Sequence, residues 1–227
     1  MRTIVSARFV KSAIFPKDYP AHNFPEYAFF GRSNAGKSSL INMLINRKNL
    51  VKTGAKPGVT QSVNFFVVNE SAPATTFYIA DLPGYGYAQL KKGTVRNIDR
   101  MLTDYCAHRT ALKCMFLLMD IRRPPSPVEK DISEFFTQNG IAFRIVATKC
   151  DKVSKSEQLK QEQILAAFFA LPPDEIILTS TLKKNRTGKI IGEFVKCGKN
   201  LRHGNHRCCF FLFAENGFRI GRVFVLR

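Results

Sequence analysis

The most specific chemistry in the sequence lies in an eight-residue motif that reads GRSNAGKS. A glycine followed after four residues by Gly-Lys-Ser is the spacing of a loop whose backbone N–H groups wrap a phosphate chain. In such a loop Lys37 reaches the β and γ phosphates, and the Ser38 hydroxyl binds Mg²⁺. The motif predicts a nucleoside triphosphate site. Its residues, which we call the phosphate loop, are Gly31, Arg32, Ser33, Asn34, Ala35, Gly36, Lys37 and Ser38.

A second motif, Asp81-Leu82-Pro83-Gly84, directly follows an apolar strand pattern. An acid at a strand end beside a phosphate loop is placed to hold Mg²⁺ through water. The Gly84 N–H can then meet the γ-phosphate. A D-x-x-G turn is common on its own, so this interpretation depends on the phosphate loop that precedes it.

Thr60 lies in the polar stretch 52–61. A hydroxyl there can join the Mg²⁺ shell while a γ-phosphate is present and leave after hydrolysis, which makes the loop a switch. An isolated loop threonine is more often a turn residue. The prediction therefore depends on the motifs on either side.

The motif Thr148-Lys149-Cys150-Asp151 ends another apolar strand pattern and indicates the base. The Asp151 carboxylate can accept from the N1–H and 2-amino groups of guanine, a pair that adenine does not offer. The stem of Lys149 can lie along the base plane. The residues Thr179, Ser180 and Thr181 end the next strand and would support the base through main-chain N–H groups. The alternatives are a surface charge pair and a helix cap.

Strand and helix patterns alternate around these motifs. Apolar strand patterns alternate with helical patterns, which lie near residues 38–46, 94–108, 127–138 and 154–170. Continuous apolar strands between helices are typical of a parallel sheet covered on both faces. We predict a doubly wound α/β fold with a mostly parallel six-stranded sheet and one antiparallel strand.

The chain divides into three predicted parts: an N-terminal lead-in (1–25), a nucleotide-binding domain (26–195) and a basic tail (196–227). The tail contains cysteines and histidines, but their spacing matches no zinc pattern. We interpret them as unliganded.

Composition narrows the partners and the compartment. The 227 residues carry 35 Lys+Arg against 17 Asp+Glu, a net charge of +18, which favours a polyanionic partner such as nucleic acid. A hydrophobic content of 45% excludes a disordered chain. No signal peptide and no apolar run of membrane-spanning length is visible. We predict a cytoplasmic, monomeric protein with reduced cysteines and no integral membrane segment.

Taken in order, the motifs GRSNAGKS, KPGVTQ, DLPGYGYA, TKCD and TSTLKK resemble those of the EngB (YihA) GTPases, which belong with the Era- and TrmE-like GTPases. The resemblance covers about residues 1–192 and implies a P-loop GTPase domain. It further implies a bacterial GTPase that assists large-ribosomal-subunit assembly, with a family association with cell division and septation. It adds Gly58, Val59, Thr60, Gln61 and Ser62 to the GTP contacts and places Mg²⁺ on Ser38 and Thr60.

Three positions depart from the wider GTPase pattern. Tyr85 stands where many relatives have a water-orienting glutamine, and an aromatic ring cannot orient water as an amide does. Asn34 resembles a residue that helps related GTPases bind K⁺. Thr148 replaces an asparagine, and we expect it to brace the loops less. These features predict slow GTP hydrolysis, stimulated by K⁺ or by the ribosome.

The functional prediction is a GTP-binding switch that hydrolyses GTP slowly and docks on ribosomal RNA or large-subunit precursors. Lys37, Thr60 and Gly84 are the predicted catalytic residues, and Ser38, Thr60 and Asp81 the predicted metal ligands. Basic groups at 91–92, 122–123 and 183–186 are candidates for contacts with RNA phosphates. One alternative is a nucleotide-dependent RNA- or ribosome-binding module with negligible turnover. Another is an ATPase or a small-molecule kinase.

Overall fold

A computed structural model describes residues 4–47, 50–51, 62–85, 94–107 and 109–181 of the chain. The strands are β1 (Ala7–Ala13), β2 (Glu26–Gly31), β3 (Val63–Val68), β4 (Phe77–Asp81), β5 (Leu112–Asp120), β6 (Phe143–Thr148) and β7 (Ile176–Leu178). The helices are α1 (Lys37–Leu44), α2 (Thr94–Cys106), α3 (Pro127–Gln138) and α4 (Lys155–Phe169). Short 3₁₀ turns cover Pro16–Asp18, Cys150–Lys152 and Pro173–Glu175.

The strands form one seven-stranded sheet in the order β1-β3-β4-β2-β5-β6-β7. Strands β4, β2, β5, β6 and β7 are parallel, and β3 runs antiparallel to both β4 and β1. The predicted class, a doubly wound and mostly parallel α/β sheet with one antiparallel strand, is confirmed.

The prediction of six strands is corrected to seven. The additional strand is β1, which lies in the predicted lead-in and pairs with β3 along an outer edge of the sheet. The sequence of β1, ARFVKSA, is interrupted by Arg8, Lys11 and Ser12 and is largely solvent-facing, because an edge strand contacts the sheet on only one side. It therefore lacks the apolar run by which the buried strands were predicted.

Successive side chains along a strand point to opposite faces of the sheet, and an apolar core lies on each face. In β2, Tyr27 and Phe29 pack with helix α1, whereas Ala28 and Phe30 belong to the core on the other face. Helices α2, α3 and α4 contribute buried residues to that second core, including Leu102, Phe136 and Phe169. The parallel strands are thus held between two apolar layers.

The carboxyl ends of β2, β4, β5, β6 and β7 meet along one side of the sheet, which we call the carboxyl edge. Their opposite ends form the amino edge. In open α/β sheets, ligands bind outside the carboxyl ends of the strands. Most of the residues predicted to bind nucleotide follow directly from this edge.

Within the described part of the chain, no helix has the length and apolar character needed to span a membrane. The predicted tail, 196–227, lies outside the described residues.

Candidate nucleotide-binding site

The phosphate loop joins β2 to α1 and takes a backbone path that few residues permit. A Cβ on Gly31 would lie 2.5 Å from the carbonyl oxygen of Leu118, so a larger residue would displace β5. Asn34 (φ 66°) and Gly36 (φ 87°) adopt the left-handed conformation. Gly36 is also the N-cap of α1. Since a helix leaves its first N–H groups without partners inside the helix, this end suits a bound anion.

Two residues at the end of β6, its last residue and the one that follows, brace the phosphate loop from the side. The Thr148 hydroxyl lies 2.6 Å from the Ala35 carbonyl oxygen and 3.0 Å from the Met119 carbonyl oxygen. It has one proton to donate, and both of these backbone oxygens are within its reach. Lys149 Nζ donates to the Asn34 carbonyl at 2.7 Å. The sequence predicted that threonine would brace less than asparagine does. The structure shows that Thr148 nevertheless reaches the backbone of the phosphate loop.

Lys37 and Asp81, from the first two motifs, form an ion pair between α1 and the end of β4. Both side chains are largely buried, so the contact is shielded from solvent. The Ser38 hydroxyl and the Asp81 carboxylate offer the hard oxygen donors that Mg²⁺ takes in proteins. The chemistry of this donor set fits the predicted metal.

The Asp81–Gly84 motif lies directly against the phosphate loop. A Cβ on Gly84 would lie 3.3 Å from both the Gly31 carbonyl oxygen and the Ser33 nitrogen. The next residue pairs with the same loop, since Ser33 N–H donates to the Tyr85 carbonyl at 2.8 Å and Tyr85 N–H to the Gly31 carbonyl at 3.2 Å. A side chain at position 84 would therefore require the neighbouring backbone to move by a few tenths of an ångström.

The Tyr85 side chain is buried and bound inside the protein. Its ring packs 5.1 Å from the Phe30 ring, and its hydroxyl donates to Glu129 Oε1 at 3.0 Å. Burial, reinforced by the Glu129 carboxylate, raises the pKa of Tyr85 far above its ordinary value. This side chain is engaged with α3.

Sequence reasoning missed Glu129, which is fully buried at the start of α3. It completes a capping box with Ser126, whose backbone N–H donates to Glu129 Oε2 at 2.9 Å. The Ser-x-x-Glu spacing could have revealed this cap. It could not have revealed Tyr85 as the partner of the carboxylate.

The segments predicted to bind the base come together. Ser180 Oγ donates to Asp151 Oδ1 at 2.5 Å, and the Cys150 N–H donates to the Thr179 carbonyl at 3.1 Å. The Asp151 side chain is 8% exposed. Residues 148–151 and 179–181 thus form one surface beside the phosphate loop.

Asp120, at the end of β5, also went unrecognised in the sequence. Its carboxylate accepts from Lys149 Nζ at 2.9 Å and from Arg122 Nε and Nη2 at 2.9 and 2.7 Å. Burial alone would raise the pKa of Asp120, but the hydrogen bonds from Arg122 and Lys149 outweigh it and hold the pKa well below its usual range. The signal was an acid at the end of an apolar run, as for Asp81.

The remaining predicted residues are distributed as follows. Gly58, Val59, Thr60 and Gln61 lie outside the described residues, and Ser62 immediately precedes β3. Leu82 is buried and Pro83 partly exposed in the segment after β4. Of the basic groups, those at 91–92 and 183–186 are also outside the described residues, whereas Arg122 and Arg123 are exposed beyond β5.

Two sequence comparisons with known proteins indicate the same class of protein. Residues 26–149 match a family described as 50S ribosome-binding GTPase. The probable GTP-binding protein EngB of Treponema denticola is 46% identical over 208 residues, which are 85% of this chain and 98% of the relative.

Solved structures share the fold. A crystal structure of a probable GTP-binding protein engB superimposes with a TM-score of 0.57 at 23% identity, over 75% of this chain and 98% of that one. Era in complex with MgGDPNP and nucleotides 1506–1542 of 16S ribosomal RNA gives a TM-score of 0.58 at 21% identity, over 78% of this chain and 57% of that one.

Proposed function

Because the chain belongs to the EngB family of GTP-binding proteins, which are P-loop GTPases, we propose that it is a slow, Mg²⁺-dependent GTPase that acts as a switch in assembly of the large ribosomal subunit. The observation that carries this proposal is the convergence of the phosphate loop, Gly84 and Asp151 on the carboxyl edge. One end of this arrangement suits phosphates and the other suits a guanine base.

In the proposed reaction, the phosphate loop amides and the Lys37 ammonium hold the triphosphate. Asp81 keeps Lys37 between α1 and β4 before the nucleotide arrives. Bound Mg²⁺, held by Ser38, Thr60 and Asp81, would neutralise charge on the phosphates. The Gly84 N–H faces the γ-phosphate, and water is the nucleophile.

Asp151 would select guanine. Its carboxylate is fixed by the Ser180 hydroxyl, so its orientation is set before the base binds. A carboxylate accepts the two adjacent N–H donors of guanine, whereas adenine presents an edge that does not offer this pair of donors. Specificity then comes from a group that is already in place.

Switching would depend on Thr60 and on the segment 81–88, which report the γ-phosphate. Slow hydrolysis is expected because the residue after Gly84 is Tyr85, whose side chain is bound to Glu129. A K⁺ ion beside Asn34 could supply charge that other GTPases take from an arginine. Turnover in KCl and in NaCl at equal ionic strength tests this, and equal rates would exclude a role for K⁺.

The proposed partner is ribosomal RNA or a large-subunit precursor. Support comes from the name of the matching family, from the net charge of +18, and from the exposed Arg122 and Arg123 near the carboxyl edge. In this proposal the protein acts in the cytoplasm as a monomer. The proposal also includes the family association with cell division and septation.

Co-sedimentation with large ribosomal subunits across a salt series, with GTP, GDP or no nucleotide, tests the switch. We expect tighter association with GTP and a steep loss with salt, because phosphate contacts release counterions. Association that ignores the nucleotide would exclude the switch.

The second candidate function is a nucleotide-dependent binding module with negligible turnover, which the engaged side chain of Tyr85 favours. Single-turnover GTP hydrolysis with and without large subunits separates the two. Stimulated phosphate release supports the GTPase switch, whereas unchanged GTP supports the module.

A further inference from the structure

We propose that Asp120 is a positioning residue of the nucleotide site, which sets the place of Lys149 and, through it, of the phosphate loop. The inference rests on the proposed role of Lys149 beneath the base. It assigns a task to a carboxylate at the end of β5, a strand from which sequence reasoning drew no site residue.

The contacts form a continuous chain from the surface to the phosphate loop. Arg122 grips Asp120 with two side-chain bonds and also donates its backbone N–H at 3.1 Å. Asp120 Oδ2 then accepts from Lys149 Nζ at 2.9 Å, and the same ammonium donates to the Asn34 carbonyl at 2.7 Å. A single carboxylate therefore orients the ammonium that touches the phosphate loop.

The backbone of Lys149 is also in an uncommon conformation. Lys149 adopts φ 59°, a conformation that a residue with a Cβ takes only when its surroundings require it. Its long side chain has many rotamers, and binding a base against a mobile stem would cost conformational entropy. With the ammonium tied at two points, that entropy is lost on folding, before the nucleotide arrives.

Burial strengthens the effect. The Asp120 side chain is 5% exposed and the Lys149 side chain 31% exposed, so their contact is more shielded than an ordinary surface pair. Asn34 lies in the left-handed conformation at the point where Lys149 holds it. Asp120 is thus connected, through Lys149, to the Asn34 backbone in the phosphate loop.

A double-mutant cycle tests the proposal with mant-GDP as the probe. The variants are Asp120→Asn, Lys149→Met and the two combined, and the measurements are the Kd and the dissociation rate. Asp120→Asn should raise the dissociation rate about tenfold. In the Lys149→Met background it should have less than about a twofold further effect, because its target is gone.

The control is Glu175→Gln, which makes the same acid-to-amide change in an ion pair with Arg144 at the amino edge. It should leave mant-GDP binding unchanged. A second readout compares GDP with inosine diphosphate. Asp120→Asn should retain the wild-type preference for guanine, since Asp151 reads the 2-amino group, whereas Asp151→Asn should lose it.

The outcomes distinguish a failure of the base site from a failure of the positioning role. If Lys149→Met binds mant-GDP normally, the proposed base site itself is wrong. If Lys149→Met weakens binding but Asp120→Asn does not, or if Asp120→Asn is equally harmful in both backgrounds, the positioning role is overturned. Should Asp120→Asn fail to fold, Asp120→Glu keeps the charge but displaces the carboxylate, and the same cycle applies to it.

Discussion

Buried carboxylates lie at both edges of the sheet, but they are used differently. At the amino edge, Glu26 is fully buried and accepts hydrogen bonds from the Tyr105 hydroxyl at 2.7 Å, from Arg109 at 2.5 and 2.8 Å, and from the His22 ring at 3.1 Å. The His22 ring stacks on Tyr78 at 3.6 Å. All these partners are side chains packed within the fold.

At the carboxyl edge, each buried acid holds a group that also faces a loop. Asp81 contacts Lys37, which carries three N–H donors, and Asp120 contacts Lys149, which also reaches the phosphate loop. The same chemistry therefore serves a scaffold when its partners are all internal. It serves a binding site when its partners sit on loops that surround a cleft.

The largest expected effect is at the amino edge. Glu26→Ala leaves Arg109 without its carboxylate in a site where its side chain is only 13% exposed. Removing one member of a buried pair costs about 3–5 kcal/mol of unfolding free energy. Urea unfolding measures the loss, and Glu70→Gln, in the exposed pair with Arg8, should change little. GDP affinity of the folded variant should remain normal, and a weakened site would break the division between the edges.

This contribution also depends on pH in a definite direction. His22 and Arg109 overcome the effect of burial and lower the pKa of Glu26 below its ordinary 4.5. Its stabilisation is therefore complete above about pH 4.5 and is lost as the pH falls through the lower native value. Acid unfolding curves of the wild type and Glu26→Ala should converge at low pH.

The second effect belongs to the carboxyl edge. Asp151→Asn replaces a proposed acceptor of two guanine N–H groups, so GTP affinity should fall about 100-fold and xanthosine nucleotide should gain. Competition of each nucleotide against mant-GDP measures both affinities. The unfolding free energy without nucleotide should change far less than for Glu26→Ala. Unchanged GTP affinity would contradict the assignment of the base.

The third effect concerns the Glu129 carboxylate, whose partner Tyr85 lies next to the phosphate loop but is buried in the core. Tyr85→Phe removes a buried hydrogen bond to Glu129 and should cost about 2 kcal/mol of unfolding free energy. GDP affinity should change little, because the backbone pairing with the phosphate loop remains. Thermal unfolding and mant-GDP titration together measure this. A large loss of affinity would show that the side chain, and not only the backbone, shapes the site.

The smallest expected effect concerns how firmly Asp151 is held before the nucleotide binds. Ser180→Ala removes the hydroxyl that fixes Asp151 but keeps the carboxylate itself. We expect GTP affinity to fall about fivefold, with the preference for guanine over adenine retained. Serine-to-threonine replacement at 180 is the matched variant, since it keeps a hydroxyl. A loss as large as that of Asp151→Asn would place Ser180 in direct contact with the base.

The residues that could be predicted from the sequence are those whose spacing is local. The GRSNAGKS motif and the D-x-x-G turn follow strands directly, so their position at the carboxyl edge could be inferred from strand and helix patterns alone. Parallel strands also bring their ends together without any knowledge of side chains.

The residues that escaped prediction act through partners far along the chain. Asp120 at the end of β5 meets Lys149 after β6, and Glu129 in α3 meets Tyr85 in the segment after β4. A single sequence carries no signal for such pairs. Strand β1 escaped for a different reason, because its hydrogen bonds to β3 come from the backbone and leave its polar side chains in solvent.

The position of β1 should also protect the sheet against edge-to-edge association. Its partner β3 reads VNFFVV, an uncharged hexamer that is apolar except for Asn64 and would readily template cross-β stacking if its outer side were bare. The strand that covers it carries Arg8 and Lys11, which discourage a further chain from joining. A chain that lacks β1 should therefore aggregate more readily than the full chain.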